Sequence, residues 1–396
     1  MDKKSFAQGF IVALGTVTAC HFGFDFAINN GLINWAALPF GVNLSVERKT
    51  KQIFQLLETQ YVDPINRSFV EDSLFRGMLQ GMQDPYTYYM SSEEYGKYLT
   101  NNHGSFVGIG VEITENVDNE IVIYHLLEDG VAKEAGILEN DIIKKVNGIS
   151  VEGMTVSEVA NLLSGYTTHI KNQITLEVFC PATGETLEFL LTPREIITRS
   201  VVPELYDETI GYIHITSFKS NTYDQFAEAL DQFIADDVTG LIIDLRGNLG
   251  GLVTSVYDVS ELILPEGILV STIDNSGREE TLDLDDSYFD VPMVVLVNEN
   301  SASASEIFAG AAKDLEAATL VGTQTYGKGL VQTSYPLSDG SAVNITVKRY
   351  YTPNGISIQG TGITPDYIVS LPTGVTLRSE SDVQLQKALE LLTIDD

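Results

Sequence analysis

The chain reads as an α/β protein of mixed architecture. A helical arm comes first, then a β-rich middle unit, then an α/β core with a largely parallel sheet. Three observations carry that expectation. Residues 46–98 place apolar side chains such as Ile53, Leu56, Leu57 and Tyr61 at three- and four-residue spacings, as amphipathic helices do. The stretch "FVGIGVEIT" alternates Val107, Ile109, Val111 and Ile113, as a strand with one buried face does. The runs "GLIIDLRGNLGG" and "VPMVVLVN" are continuously apolar and each leads through a turn into a helical pattern, which marks strands buried on both faces.

With 396 residues the chain exceeds one ordinary core. Its formal net charge of −32 excludes nucleic acid as a partner, because phosphate backbones are held by lysine and arginine. The first 20 residues, "MDKKSFAQGFIVALGTVTAC", have a basic start and an apolar run from Phe6 to Thr18, the layout of a secretory leader. That run is short of the roughly 20 apolar residues a spanning helix needs. Val17-Thr18-Ala19-Cys20 has the form of a bacterial lipobox, whereas the following linker (21–45) stays apolar enough to leave an uncleaved anchor open. Either way the expectation is a bacterial, exported, membrane-anchored protein with its body on the extracytoplasmic side. Cys180 is the one other cysteine, so no disulfide framework is expected.

The elements follow in order. The helical arm (46–103) is broken at Asp84-Pro85 and resumes at "SSEEYGKYL", and it is a candidate surface for a homo-oligomer. The middle unit (104–194) continues from its alternating strand through "NEIVIYHLL", a turn-rich segment, a helix opened by Thr155-x-x-Glu158, and the strands "QITLEVF" and "TLEFLLTP". Gly108-Ile109-Gly110-Val111 followed by "AGILENDIIKKVNG" resembles a PDZ domain. The resemblance implies a loop whose free N–H groups hold a peptide's terminal carboxylate while the peptide extends a sheet edge. A third unit (195–370) holds the apolar strands, and a last segment (371–396) carries Leu385, Leu389 and Leu392 on one helix face for core packing. In such sheets functional groups gather at strand carboxyl ends, where Asp244, Arg246 and Ser303 fall.

The stretch "VNENSASASEIFAG" allows two readings of Ser303. With Glu306 it forms a capping box, S-x-x-E, at a helix start. With only alanine on either side it is also an accessible nucleophile. Of the histidines, His214 lies inside the apolar strand "GYIHITSF" and reads as a sheet residue; no HExxH or paired CxxC suggests a metal, and no cofactor is expected. Lys328 stands between Gly327 and Gly329 and could serve as a base only if desolvated into its neutral form; alone, it would read as a solvated lysine. Gly322 to Lys328 matches a phosphate-binding loop, G-x-x-x-x-G-K. Gly329 replaces the hydroxyl residue that motif requires, and a strand pattern replaces its helix, so nucleotide binding is set aside.

Taken together and in order, "DLRGNLGG", "NSASASEIFAGAAKD", "YGKGLVQ" and "YYTPNGISI…GITPD" behind a PDZ-like unit resemble the carboxyl-terminal processing peptidases, or tail-specific proteases. The resemblance implies a serine endopeptidase with Ser303 as nucleophile, Lys328 as base and Gln332 positioning the lysine. It further implies an oxyanion hole from Gly250 and the Ala304 N–H, and capture of nonpolar C-terminal tails at Gly108, Ile109, Gly110 and Val111. Leu249 departs from the small turn residue usual in the family. The rival reading is a catalytically idle PDZ scaffold that binds tails without cutting them.

Overall fold

A computed structural model describes residues 44–163, 173–285 and 288–393; the leader (1–20) and nearly all of the linker lie outside them. The chain divides into two compact units, one ending at Gly77 and the other running from Met78. In the first, α1 (Leu44–Gln60) is followed by the start of α2 (Arg67–Gln80). Arg67 ties them, pairing with Glu58 on α1 and with Glu71 at 2.9 Å on its own helix while its guanidinium lies 5.2 Å from the Phe54 ring centroid. Ile53, Leu56 and Phe69 remain exposed there.

The second unit opens with β1 (Tyr88–Met90) and α3 (Ser92–His103), whose start is fixed by a Ser91/Glu94 capping box. The chain then passes through β2 (Ser105–Gly108) into a sheet formed by β3 (Val111–Glu115), β4 (Ile121–Leu126), β5 (Ile142–Val146) with the short β6 (Ile149–Ser150), β7 (Ile174–Cys180) and β8 (Glu185–Leu191). Helices α4 (Val131–Glu134) and α5 (Val156–Leu163) close it over a core of Ile123, Ile143, Val159, Leu176 and Val178. Strand β9 (Arg194–Ile197) returns antiparallel to β2, so this sheet hangs on a two-stranded neck. At the base of the neck Thr198 N–H donates to Gly104 O at 2.9 Å. Asn221 Nδ2 bridges the same two carbonyls, Gly104 O at 2.7 Å and Thr198 O at 3.2 Å.

The remaining strands build the core. Its main sheet is ordered β10 (Val201–Tyr206), β11 (Ile210–Ile215), β12 (Gly240–Asp244), β15 (Met293–Val297), β16 (Thr319–Gly322), β19 (Tyr367–Ile368). Every pair is parallel except β10–β11, as the continuous apolar runs predict. Side chains alternate between two layers. Leu241, Ile243, Val295 and Val297 pack on α6 (Thr222–Ala235), α7 (Val253–Ile263) and α8 (Ala304–Asp314). Ile242, Val294, Leu296 and Val321 meet Leu385 and Ala388 of α9 (Val383–Thr393) on the other face. Beyond the sequence expectation, a second, antiparallel sheet covers α8: β13 (Gly267–Asp274), β14 (Glu279–Leu284), β17 (Leu330–Pro336) and β18 (Ala342–Tyr351), with β1 at its edge beside β18.

Candidate active site

The parallel strands end in two turns that lock together. After β12, Asn248 is fully buried; its Nδ2 donates to Ile215 O at 2.8 Å, and its carbonyl accepts from Ala302 N–H at 3.0 Å and Ser305 Oγ at 2.9 Å. Ser301 Oγ donates to Leu245 O at 2.8 Å. Two of the three clustered serines therefore hold the glycine turn against the start of α8. The third is left out of that work.

Ser303 sits at the N-cap with φ 58° and ψ −114°, a backbone conformation that costs a residue with a Cβ about 1–3 kcal/mol. Its hydroxyl faces the Glu306 N–H in capping-box fashion, yet that N–H makes its bond to Ser303 O at 2.8 Å, and Oγ completes no cap bond of ordinary geometry. The Ala304 N–H, in the helix's first turn, meets no acceptor among the described residues. Tyr350, buried on β18, donates its hydroxyl to Ser303 O at 3.1 Å and its N–H to Gly329 O at 3.1 Å.

Glu306 does more than the cap that sequence reasoning gave it. Its carboxylate is 1% exposed and accepts four hydrogen bonds. Oε2 takes the Ser303 N–H at 2.9 Å and the Lys328 N–H at 2.8 Å; Oε1 takes the Gly327 N–H at 2.7 Å and Thr325 Oγ1 at 2.6 Å. One oxygen thus binds the main chain of both Ser303 and Lys328. The S-x-x-E spacing was the available signal, but only the fold reveals that the same carboxylate reaches a loop 22 residues on.

Lys328 lies in the loop before β17. The glycines beside it allow close approach: a Cβ at Gly329 would lie 2.9 Å from Gln359 N, and one at Gly327 would lie 2.8 Å from Gly362 N. Burial pushes the ammonium pKa below the ordinary lysine value, partly opposed by the carboxylates of Asp84 and Glu306. Its Nζ stands 4.8 Å from the centroid of the Tyr86 ring.

Gln332 is placed differently from expectation. Its Nε2 donates to Thr346 Oγ1 at 3.4 Å, and among the described residues it makes no hydrogen bond to Lys328. Lys328 precedes the strand, so no regular strand alternation carries its side chain to the face on which Gln332 meets Thr346 of β18. Gly250, at φ 102°, does lie against the nucleophile: a Cβ there would fall 2.8 Å from Ser303 Cβ and 2.9 Å from Ala304 N. Its N–H donates to Asn248 Oδ1 at 2.8 Å. Leu249 beside it is 69% exposed.

Two neighbours of the turn are structural. His214, on β11, has its Nε2 3.3 Å from Arg246 O in the turn after β12. Arg246 and Asp244 are wholly buried and paired at 2.6 Å; Arg246 also meets Asp382 and Gln384, each at 2.9 Å, and Tyr212 donates to Asp244 at 2.7 Å. Of the phosphate-loop look-alike, nothing helical follows Gly322; β17 does.

In the neck-borne sheet, β3 is an edge strand with α5 packed on it. In the loop before it, Ile109 O and Gly110 O accept from Ala132 and Leu127, at 2.9 and 3.1 Å, while the N–H groups of Ile109 and Gly110 find no acceptor among the described residues.

Comparison with known proteins agrees with this arrangement. The pattern of peptidase family S41 matches residues 209–369, that of the PDZ domain 101–178, and that of the activating protease CtpB N-terminal domain 41–94. A carboxyl-terminal-processing protease of Synechocystis is 36% identical over 352 residues, covering 86% of this chain and 82% of that protein. The carboxy-terminal processing protease CtpA of Bacillus subtilis is 32% identical over 372 residues, 93% of this chain and 78% of that one. A putative S41 protease from Bacteroides fragilis, 17% identical with a TM-score of 0.50, shares the fold over 80% of this chain and 89% of its own. With the S41 and PDZ patterns both matched, and with relatives more than 30% identical along most of their length, the chain belongs to the carboxyl-terminal processing proteases, serine peptidases of family S41.

Proposed function

We propose that this peptidase cleaves through a Ser303/Lys328 dyad after its PDZ unit captures a substrate's C-terminal tail. The observation that carries the reading is the Glu306 carboxylate, one oxygen of which binds the main-chain N–H of both residues. A binding-only scaffold has no need of such a clamp. Neutral Lys328 takes the proton from Ser303 Oγ as the oxygen attacks a peptide carbonyl; the C–N bond then breaks as the ammonium returns that proton to the leaving amine, and water, losing a proton to Lys328, hydrolyses the acyl-enzyme and restores Ser303. The Ala304 N–H faces the developing oxyanion, and the Gly250 N–H joins it by sharing its bond to Asn248 Oδ1. Gln332 supports the base indirectly, through Thr346.

Because burial lowers the Lys328 pKa, activity rises with pH along a limb centred below the free-lysine value of about 10.4. Lys328→Arg keeps the charge but cannot lose the proton, so it is as inactive as Lys328→Ala in a peptide-cleavage assay. Substantial turnover by folded Lys328→Arg would remove lysine as the base.

In the tail site, the unpaired N–H groups of Ile109 and Gly110, with Gly108 and Val111 flanking, hold the terminal carboxylate of a nonpolar tail that extends β3. Amidating a substrate's C-terminus weakens its binding by about tenfold or more, since a charge-assisted hydrogen-bond set is lost. Equal binding of acid and amide peptides would take the PDZ unit out of tail recognition.

The relatives named above are bacterial, and the leader's basic start and apolar run support export with an N-terminal membrane anchor. No helix among the described residues is long and apolar enough to cross a membrane, so the anchor assigned lies in residues 1–43. The exposed Ile53, Leu56 and Phe69 support self-association through the helical arm (46–103), ahead of a PDZ unit (104–194), a protease core (195–370) and a C-terminal helix segment (371–396). Protease shaving of wall-stripped cells tests the location: a chain protected from external protease would rule it out.

A further inference from the structure

Tyr86 comes from a segment more than two hundred residues before the base, and the fold fixes it firmly. Asp84 Oδ1 accepts the Tyr86 N–H at 3.0 Å, Asp84 Oδ2 accepts Thr87 Oγ1 at 2.7 Å, and Thr87 Oγ1 in turn accepts the Thr346 N–H at 3.1 Å. Asn344 Nδ2 donates to Tyr86 O at 3.0 Å, and the next residues pair with β18 as β1. The neighbouring Tyr326 phenol, followed by burial, pushes the Tyr86 pKa up to about 12, so the ring stays neutral wherever Lys328 titrates. The result is an immobilised neutral aromatic face with Lys328 Nζ 4.8 Å from its centroid.

That placement has a chemical consequence. A lysine base must be neutral before the reaction and an ammonium immediately after it has taken the serine proton. Burial alone would favour the neutral form and make the ammonium a costly product. Asp84 and Glu306 act on it as full charges, whereas the ring acts through its quadrupole at contact range. Resting on the dyad reading given above, we propose that Tyr86 is a further catalytic residue: its ring touches the proton-accepting nitrogen and stabilises the Lys328 ammonium as it forms. The step is a transfer of one proton from Ser303 Oγ to Lys328 Nζ; Tyr86 exchanges none.

The test compares two isosteric rings in the full chain, Tyr86→Phe and Tyr86→pentafluorophenylalanine introduced by nonsense suppression. Both lack the hydroxyl, and only the second loses the negative ring face. Peptide cleavage is measured against pH for both, with Lys328→Arg alongside. The fluorinated variant is expected to show its rising limb at a pH lower by roughly 0.5 to 1, and a high-pH kcat plateau roughly two- to tenfold lower, than Tyr86→Phe, with KM the same in both. A purely structural role would lower the plateau without moving the limb. Superimposable limbs, with Lys328→Arg inactive, would overturn the role of Tyr86 and leave the dyad standing. An active Lys328→Arg would overturn the dyad and the Tyr86 proposal with it. Competitive labelling of Lys328 by acetic anhydride against pH, read by mass spectrometry in a Ser303→Ala background, gives a second measure independent of turnover. There too the fluorinated ring must lower the pH at which the amine becomes reactive; an unmoved reactivity profile counts against the proposal.

Discussion

At Ser303 the backbone conformation departs from that of an ordinary helix cap. A cap residue normally takes β-region angles and spends its side-chain oxygen on the first turn; Ser303 takes φ 58° and leaves that oxygen uncommitted. Removing the Cβ releases the strain, so Ser303→Gly should be more stable than Ser303→Ala by about 1 kcal/mol in denaturant unfolding. Equal stabilities would mean the angles are comfortable for alanine. Glu306 is the next test. Replacing it with glutamine puts an NH2 group against main-chain donors, so Glu306→Gln should lose at least about 1–3 kcal/mol of stability. Its kcat should fall further than the unfolded fraction explains, which thermal melts and turnover measured together will separate. Gly250→Ala carries the same logic into the turn, because its Cβ would press on Ser303 itself and abolish turnover. The close backbone approach at Ser303 and Lys328 was legible in the alanines and glycines around them, whereas the roles expected of the two residues came from the family resemblance. Glu306 was half legible, visible as a cap and hidden as a clamp. Tyr86 beside Lys328 and the Thr346 partner of Gln332 were not, since both depend on pairing with β18 that spacing does not announce.

Among the elements, α9 is tied to the glycine turn by buried charge. Arg246 lies between Asp244 and Asp382, all three without solvent exposure, and Asp382 also caps the helix by accepting the Leu385 N–H at 3.1 Å. Cutting one partner from a buried pair leaves a charge uncompensated, so Asp382→Ala should cost about 3–5 kcal/mol near neutral pH. Burial opposes ionisation of Asp382, but hydrogen bonds from Arg246 and the Arg378 N–H hold its carboxyl below the usual value. A depressed carboxyl contributes its stability above the unfolded value of about 3.9 and loses it as pH falls through the lower folded one. The gap in melting temperature between wild type and Asp382→Ala should therefore be constant above that range and narrow in acid. The strands of the parallel sheet were legible because burial on both faces makes them continuously apolar. The antiparallel sheet was not, because β14 is largely exposed and β17 has no fully buried residue, and the pairings that assemble the sheet, β18 with β13 and with β1, join segments far apart in the chain. Reading Leu385 and its neighbours as core packing was right about the face they present and silent about Asp382.

For the whole molecule, the net charge of −32 should act on folding and on substrate choice together. Self-repulsion is strongest when unscreened, so the melting temperature should rise between about 0.01 M and about 0.15 M salt, where the Debye length shortens from about 30 Å to about 8 Å. In competition cleavage at low salt, neutral tails should be cut in preference to acidic ones, and the preference should shrink over the same range; a salt-independent preference would place the selectivity in contacts instead. The neck has a different kind of consequence. Because the chain leaves at Gly104 and comes back at Thr198 with those two residues hydrogen-bonded to each other, the tail-binding unit is an insertion whose ends already meet. Joining two adjacent points demands little of whatever lies between them, so during evolution this position can accept, lose or exchange a folded module while the sheets beneath keep their pairing. One ancestral hydrolase could in this way acquire many appetites: a short glycine–serine bridge would return it to an unaddressed cutter, and a foreign recognition domain spliced at the same two residues would give it a new address.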